Sequence, residues 1–344
     1  MVLAELDSDT QLILVGGTGR SGTTLVRQIL LADGRFSGFG SEARFLSDAG
    51  GVFDFTTFLS SDYSAFDYDV RVRQLLTLLE KVADRWRPLD VASVAGSGAN
   101  STQAATAVPM QMAKSVRRIG RAALTSRAAP SYAGVGVSRA IRDWNAIVAE
   151  LASSLARSEY EGRWAGTPRF QVDQVLFAGP EESLAALRAF MASILSGASS
   201  NFGSLGMVDD TPHGILKLDA ALQVCPSTLA IHVKRNPVDV VASMRRMRWA
   251  PSDVEACARF VDHHLRALQR VETKLGAHIE KIDLEALVQS PTTVLDPLSE
   301  RLGLTTPLLW PKNLERRIET VGRARQDLTA AERTLLSRQF GWDV

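Results

Sequence analysis

The stretch Gln11-Leu12-Ile13-Leu14-Val15-Gly16-Gly17-Thr18-Gly19-Arg20-Ser21-Gly22-Thr23-Thr24 decides the fold. Its first five residues are a short apolar run that breaks off in glycines, the pattern of a buried strand entering a tight loop. A helix is expected from about Gly22 to Ala32, with Leu25, Ile29 and Leu30 on one side and Asp33-Gly34 as its stop. Successive backbone N–H groups in such a loop, together with the positive end of the helix, make an anion site. The spacing from Gly17 through four residues to Gly22 and then Thr23-Thr24 nearly meets the phosphate-loop pattern GxxxxGK[ST]. It departs at one place: Thr23 stands where that pattern has lysine, and the basic side chain, Arg20, lies inside the loop.

Working outward, Arg35 to Phe39 reads as a second strand. From about Ser47 to Ser204 the pattern is mostly helical, with apolar periodicity at Val72, Leu75, Leu76 and Leu79 and again at Leu184, Leu187, Phe190 and Met191. That region is interrupted by a Gly/Ser/Thr/Ala tract over 95–107 and by Gly/Pro punctuation near 128–136 and 162–168. Strand and helix alternate again afterwards: strand Leu205 to Val208, helix Gly214 to Gln223, strand Thr228 to Val233, helix Pro237 to Met247, helix Ser252 to Leu275, strand Ile279 to Ile282, then terminal helices. Strands separated by helices imply a parallel α/β sheet with flanking helices. The simplest organisation is a single domain, with a core from about 10–46 and 203–340 and a helical, substrate-side insertion of about 47–202.

The chain has 344 residues, 45% hydrophobic and 22% charged, which excludes disorder, collagen and a disulfide-stapled miniprotein. Two cysteines, Cys225 and Cys257, supply neither a disulfide framework nor a zinc set and point to a reducing, cytoplasmic setting. The first residues lack the basic-then-apolar pattern of a secretory leader, and no run is apolar enough to span a membrane. The net charge of +1 argues against a nucleic-acid or polyanion partner. The 39 basic residues nevertheless comprise 32 arginines and only seven lysines, and arginine is the better fork for phosphate or sulfate oxygens. Lys114, Arg117, Arg118, Arg121 and Arg127 form a basic run with no acid between them, read either as a solvated helix face or as a lid over the site.

The loop resembles the 5′-phosphosulfate loop of the sulfotransferases that use 3′-phosphoadenosine 5′-phosphosulfate (PAPS), Gly-x-x-Arg-Ser-Gly-Thr-Thr-Leu. A second motif of that family matches Val233-Lys234-Arg235-Asn236-Pro237-Val238-Asp239-Val240-Val241-Ala242-Ser243. A strand delivers Arg235, and Ser243 follows on the next helix. Weaker matches occur at Asp209-Asp210-Thr211-Pro212, at Leu284 to Pro291 ahead of Leu302-Gly303-Leu304, and at Gly322-Arg323-Ala324-Arg325-Gln326-Asp327-Leu328. In style these motifs are closest to bacterial-type and tyrosyl-protein sulfotransferases. The resemblance implies a P-loop-like sulfotransferase fold carrying a large insertion and transfer of a sulfuryl group from PAPS to an acceptor hydroxyl, leaving adenosine 3′,5′-bisphosphate, with no metal required. It implies a donor site of Gly17, Thr18, Gly19, Arg20, Ser21, Gly22, Thr23 and Thr24 around the 5′ end, with Arg235, Ser243 and Arg323 around the 3′-phosphate. A guanidinium fork plus a hydroxyl suits such a dianion.

Such transfer needs a base for the acceptor hydroxyl and cations for charge gathering on the leaving oxygen. Arg20 and the loop amides suit the second task. Glu42, in Gly40-Ser41-Glu42-Ala43-Arg44, maps onto the glutamate base of the tyrosyl-protein branch; its bland alternative is a loop carboxylate paired with Arg44. His213 is the second candidate base, while His232, His263, His264 and His278 read as packing or surface residues. Where the tyrosyl-protein branch has a catalytic lysine, this chain has Asp210, so Lys217, Lys234 or an arginine of the insertion is expected to replace that cation, or Arg20 acts alone; Asp210 itself is a further candidate to orient the acceptor or take the proton. The expected partner is a small-molecule hydroxyl acceptor, a small or lipid-like metabolite in keeping with the apolar-helical insertion. Competing readings are a P-loop kinase or nucleotide hydrolase with Asp209 or Asp210 holding magnesium, a tyrosyl-protein sulfotransferase, and an inactive donor-binding module.

Overall fold

The computed structural model describes residues 10–84, 137, 141, 143–156, 158–163, 171–202, 204–312, 314 and 321–343. Among these are seven strands: β1 (Gln11–Gly16), β2 (Phe36–Gly38), β3 (Ser158–Arg163), β4 (Gln171–Phe177), β5 (Gly206–Asp209), β6 (Leu229–Lys234) and β7 (Ile279–Asp283). Five form one sheet in the order β2-β5-β1-β6-β7, with every neighbouring pair parallel. β1 therefore sits at the centre, with Leu14 opposite Asp209 on one side and Val15 opposite Ile231 on the other.

A central parallel strand is covered on both faces, and its continuous apolar sequence follows from that. Leu12 and Leu14 point into one core, shared with α2 (Arg44–Ser47), α3 (Val52–Ser61), α4 (Ala65–Asp84), α5 (Trp144–Leu155), α6 (Pro180–Phe202) and α7 (Leu218–Val224). Ile13 and Val15 point into the opposite core, built with α1 (Thr23–Ala32), α10 (Leu284–Gln289) and α11 (Pro291–Arg301). A third cluster joins α8 (Pro237–Met244), α9 (Val254–Leu275), α12 (Ala324–Asp327) and α13 (Ala330–Phe340).

The strands and most of the helices follow the sequence pattern. Val72, Leu75, Leu79, Leu187, Phe190 and Met191 are buried as the helical periodicity requires. Two differences appear. The segment expected as one helix over 214–223 begins as a 3-10 turn, Gly214–Lys217, before α7. Within the helical middle, β3 and β4 form an antiparallel pair that the sequence reading lacks. The Gly/Ser/Thr/Ala tract, the 128–136 punctuation and the basic run from Lys114 to Arg127 lie outside the described residues.

In a parallel sheet ligands gather beyond the carboxyl ends of the strands. Here those ends deliver residues 17–22 after β1, Glu42 after β2, Asp209 and Asp210 at β5, and Arg235 after β6.

Candidate active site

The loop after β1 has left-handed backbone at Gly19 (φ 76°), Arg20 (φ 58°) and Gly22 (φ 105°). Arg20 is the one non-glycine residue with positive φ among the described residues, and such strain in a bulky side chain concentrates at functional sites. Gly17 has no room for a side chain, since a Cβ there would stand 2.7 Å from the Val233 carbonyl oxygen. Its N–H donates to the Pro212 carbonyl at 2.9 Å, tying the loop to the turn after β5. The Ser21 hydroxyl is 1% exposed as a residue and has no hydrogen-bond partner among the described residues. An unsatisfied buried hydroxyl inside an N–H-rich loop fits an anion that the loop is shaped to hold.

Three residues brought from distant parts of the chain interlock at this loop. Arg20 Nε donates to Ser243 Oγ at 3.1 Å, and Arg235 Nη1 donates to the Arg20 carbonyl at 2.7 Å. The buried Asp239 lies 3.7 Å from Arg235 Nη2. Burial pushes the proton affinity of Arg235 down, Asp239 opposes this, and the nearby charges of Arg20 and Arg323 add to the lowering. The sequence-predicted pair Arg235 and Ser243 is thus brought to Arg20, with Arg323 within electrostatic reach.

A cleft of about 790 Å³ opens over the loop, lined by Thr18, Gly19, Arg20, Gly22, Thr23, Thr24 and Arg235 on one side and by Glu42, Arg44 and His213 on another. Glu42 has its carboxyl pushed upward, first by burial and then by the neighbouring Asp210 charge, with Arg44 pulling the other way. His213 Nε2 lies 3.1 Å from Asp48 Oδ1, and Arg44 Nε lies 3.1 Å from the other oxygen of the same carboxylate. Burial raises the Asp48 proton affinity, yet the His213 hydrogen bond and the Arg44 charge together hold it below the usual range. Arg44 is therefore shared with Asp48 instead of forming only a pair with Glu42.

Neither lysine expected to stand in for the missing cation lines the cleft, and Asp210 has a basic partner of its own. Asp209 and Asp210 are buried and do not line the cleft. Asp209 accepts from the Ala43 N–H at 2.8 Å and from the Thr211 hydroxyl at 2.8 Å, which fixes the backbone beside Glu42. Asp210 pairs with Arg27 Nε at 3.3 Å, and Arg27 also donates to the Phe39 carbonyl. Burial raises the Asp210 proton affinity and Arg27 offsets it. The cation beside Asp210 thus comes from α1, one turn after the loop. Lys217 pairs with Asp54 at 3.3 Å, Lys234 lies 3.9 Å from Glu272, and neither lines the cleft.

Three cleft residues escaped the sequence reading, and a fourth, His264, expected as a packing or surface residue, lines the cleft. His264 reaches the cleft from α9, its proton affinity lowered by burial against an opposing hydrogen bond with the Gly17 backbone. Met247, Trp249 and Phe260 add an apolar wall, Trp249 and Phe260 being 48% and 45% exposed. The sequence marks 252–275 as a helix, but nothing in it shows that the exposed Phe260 faces a cleft. His232 is buried in β6 against Glu272, as a packing residue would be.

Among the described residues no group of His, Cys, Asp and Glu is arranged to hold a metal ion, and no helix is long and apolar enough to cross a membrane. The chain's structure is similar to the sulfotransferase domain from the Synechococcus PCC 7002 olefin synthase, at 14% identity and a TM-score of 0.44, covering 98% of this chain and 96% of that one. It is also similar to the sulfotransferase domain from the curacin biosynthetic pathway, at 11% identity and TM-score 0.47 (97% and 99% covered). Sulfotransferase STF1 from Mycobacterium tuberculosis H37Rv matches at 15% identity and TM-score 0.40 (96% and 77% covered). No curated protein sequence matches. A family model described as the sulfotransferase family matches residues 12–307, and the chain belongs to that family.

Proposed function

We propose that this sulfotransferase takes its sulfuryl group from PAPS and transfers it to the hydroxyl of a small-molecule acceptor, releasing adenosine 3′,5′-bisphosphate. The observation that carries the reading is the interlocked set of Arg20, Ser243 and Arg235 at a strained, glycine-rich loop. Backbone amides over 17–22 and the first turn of α1 suit the 5′ end of such a donor, and the orphaned Ser21 hydroxyl fits there. Arg235, Ser243 and Arg323 suit its 3′-phosphate. When bound, PAPS supplies an activated sulfuryl group.

In this reading Glu42 takes the proton of the acceptor hydroxyl, and its raised proton affinity makes it a better base near neutral pH than an ordinary carboxylate. Arg20 and the loop amides neutralise charge on the leaving phosphate oxygen, a preorganised electrostatic role. His213 is held by Asp48 and stands as the second base candidate. The Met247, Trp249 and Phe260 wall favours an acceptor with an apolar body over a glycan or a peptidyl tyrosine in a charged sequence. A kinase or nucleotide hydrolase is disfavoured because, of its two candidate magnesium-holding acids, Asp209 accepts from the Ala43 N–H and the Thr211 hydroxyl and Asp210 pairs with the Arg27 guanidinium, and neither lines the cleft.

The test is release of adenosine 3′,5′-bisphosphate from PAPS in chelator, with a panel of phenols and aliphatic alcohols as acceptors. Acceptor-dependent release is expected. Magnesium-dependent ATP turnover with no use of PAPS would overturn the reading in favour of a P-loop kinase or hydrolase.

A further inference from the structure

We propose that Asp239 is a positioning residue that joins the two arms of the anion clasp, Arg235 on one side and the 322–324 segment with Arg323 on the other, and thereby sets selectivity for a 3′-phosphorylated nucleotide. The proposal rests on the donor reading above. Asp239 lies in the first turn of α8, four residues after Arg235, and is 4% exposed. Both of its oxygens bind the 322–324 segment, and one of them also faces Arg235. Oδ2 accepts the Gly322 N–H at 2.7 Å and lies 3.7 Å from Arg235 Nη2, while Oδ1 accepts the Ala324 N–H at 2.7 Å.

A buried carboxylate is tolerated only when it is paired and hydrogen-bonded, so each of these contacts must form for the segment to seat. The cluster that joins α8 to α12 is itself apolar, with Val238, Val241, Ala324 and Leu328 among its buried members. Hydrophobic side chains would serve to join α8 to α12. A carboxylate does something they cannot: it grips the Gly322 and Ala324 amides directionally, so that Arg323, between them, is held within electrostatic reach of Arg235. Arg20 and Arg323 both set their positive charge against Arg235, a cost that a phosphate dianion relieves. Asp239 touches neither nucleotide nor acceptor in this scheme and acts through the two arms.

Calorimetric titration of adenosine 3′,5′-bisphosphate and of adenosine 5′-monophosphate into the full chain, wild type against Asp239→Ala and Arg323→Ala, separates the possibilities. Wild type is expected to prefer the bisphosphate. Both variants should lose about tenfold or more of that preference, the scale of one buried charge-assisted hydrogen bond, with affinity for the monophosphate unchanged. If Asp239→Ala keeps the full preference, or weakens both ligands equally, the residue only supports folding and the proposal is overturned. Should Asp239→Ala fail to fold, Arg323→Ala decides, and an unchanged preference there overturns it. Failure of the donor reading itself has a different signature, because wild type would then show no preference between the two nucleotides.

Discussion

Glu42 owes its proposed role to two neighbours that are not bases themselves. Asp209 holds the adjacent Ala43 amide, and Asp210 supplies the negative charge that, after burial, does most to raise Glu42's proton affinity. Glu42→Gln is expected to lower turnover by about 10² to 10⁴ while leaving affinity for adenosine 3′,5′-bisphosphate intact; full activity would move the base role to His213. Asp210→Asn tests the electrostatics. The base works deprotonated, so activity falls as pH drops through its pKa. Removing the Asp210 charge, and leaving Arg27 uncompensated beside it, lowers that pKa. The acid limb of kcat/KM should therefore shift to lower pH, and a limb that stays fixed or moves upward contradicts the account. Arg20, Glu42, His213 and Arg235 were legible in the sequence because each sits at a fixed offset from a strand end. Arg27 was not, since nothing local to an amphipathic helix announces which distant carboxylate its arginine will meet.

At the scale of elements, the β1–loop–α1 unit was legible because apolar run, glycine cluster and helical period follow one another within about two dozen residues. β6 and α8 were legible for the same reason, with Asn236 capping α8 through the Val238 N–H and Pro237 in its first turn. The β3–β4 pair was not, because Ser158–Arg163 carries charged residues throughout and lacks the alternation of a half-buried strand. Two substitutions probe how elements support the cleft. Gly17→Ala drives a Cβ against the Val233 carbonyl, so the loop must shift, at about 1–3 kcal/mol in stability and with loss of donor-product binding by titration. Trp144 packs edge-on against Phe45 at 5.4 Å and donates Nε1–H to the Leu79 carbonyl at 3.3 Å, connecting α5 and α4 to the helix just after Glu42. Trp144→Ala should cost about 3–5 kcal/mol, seen as a fall in Tm of several degrees. A stability equal to wild type would show that α5 is not part of the core described.

For the whole molecule, a net charge of +1 taken alone argues against anionic ligands. The structure sharpens that inference, because a few guanidinium groups gathered at one sheet edge focus a field that the chain average hides. Near-neutrality gives no support to a broad polyanion footprint and leaves a small, multiply charged nucleotide fully compatible. A ligand of the native state also stabilises it: adenosine 3′,5′-bisphosphate at a hundred times its Kd should add about 2.7 kcal/mol and raise Tm without magnesium. The most direct test of the donor site is calorimetric titration of adenosine 3′,5′-bisphosphate in the presence of EDTA, wild type against Arg235→Ala. The account predicts metal-independent binding to wild type that Arg235→Ala largely loses. Absence of binding to wild type, or equal binding by the variant, would contradict it.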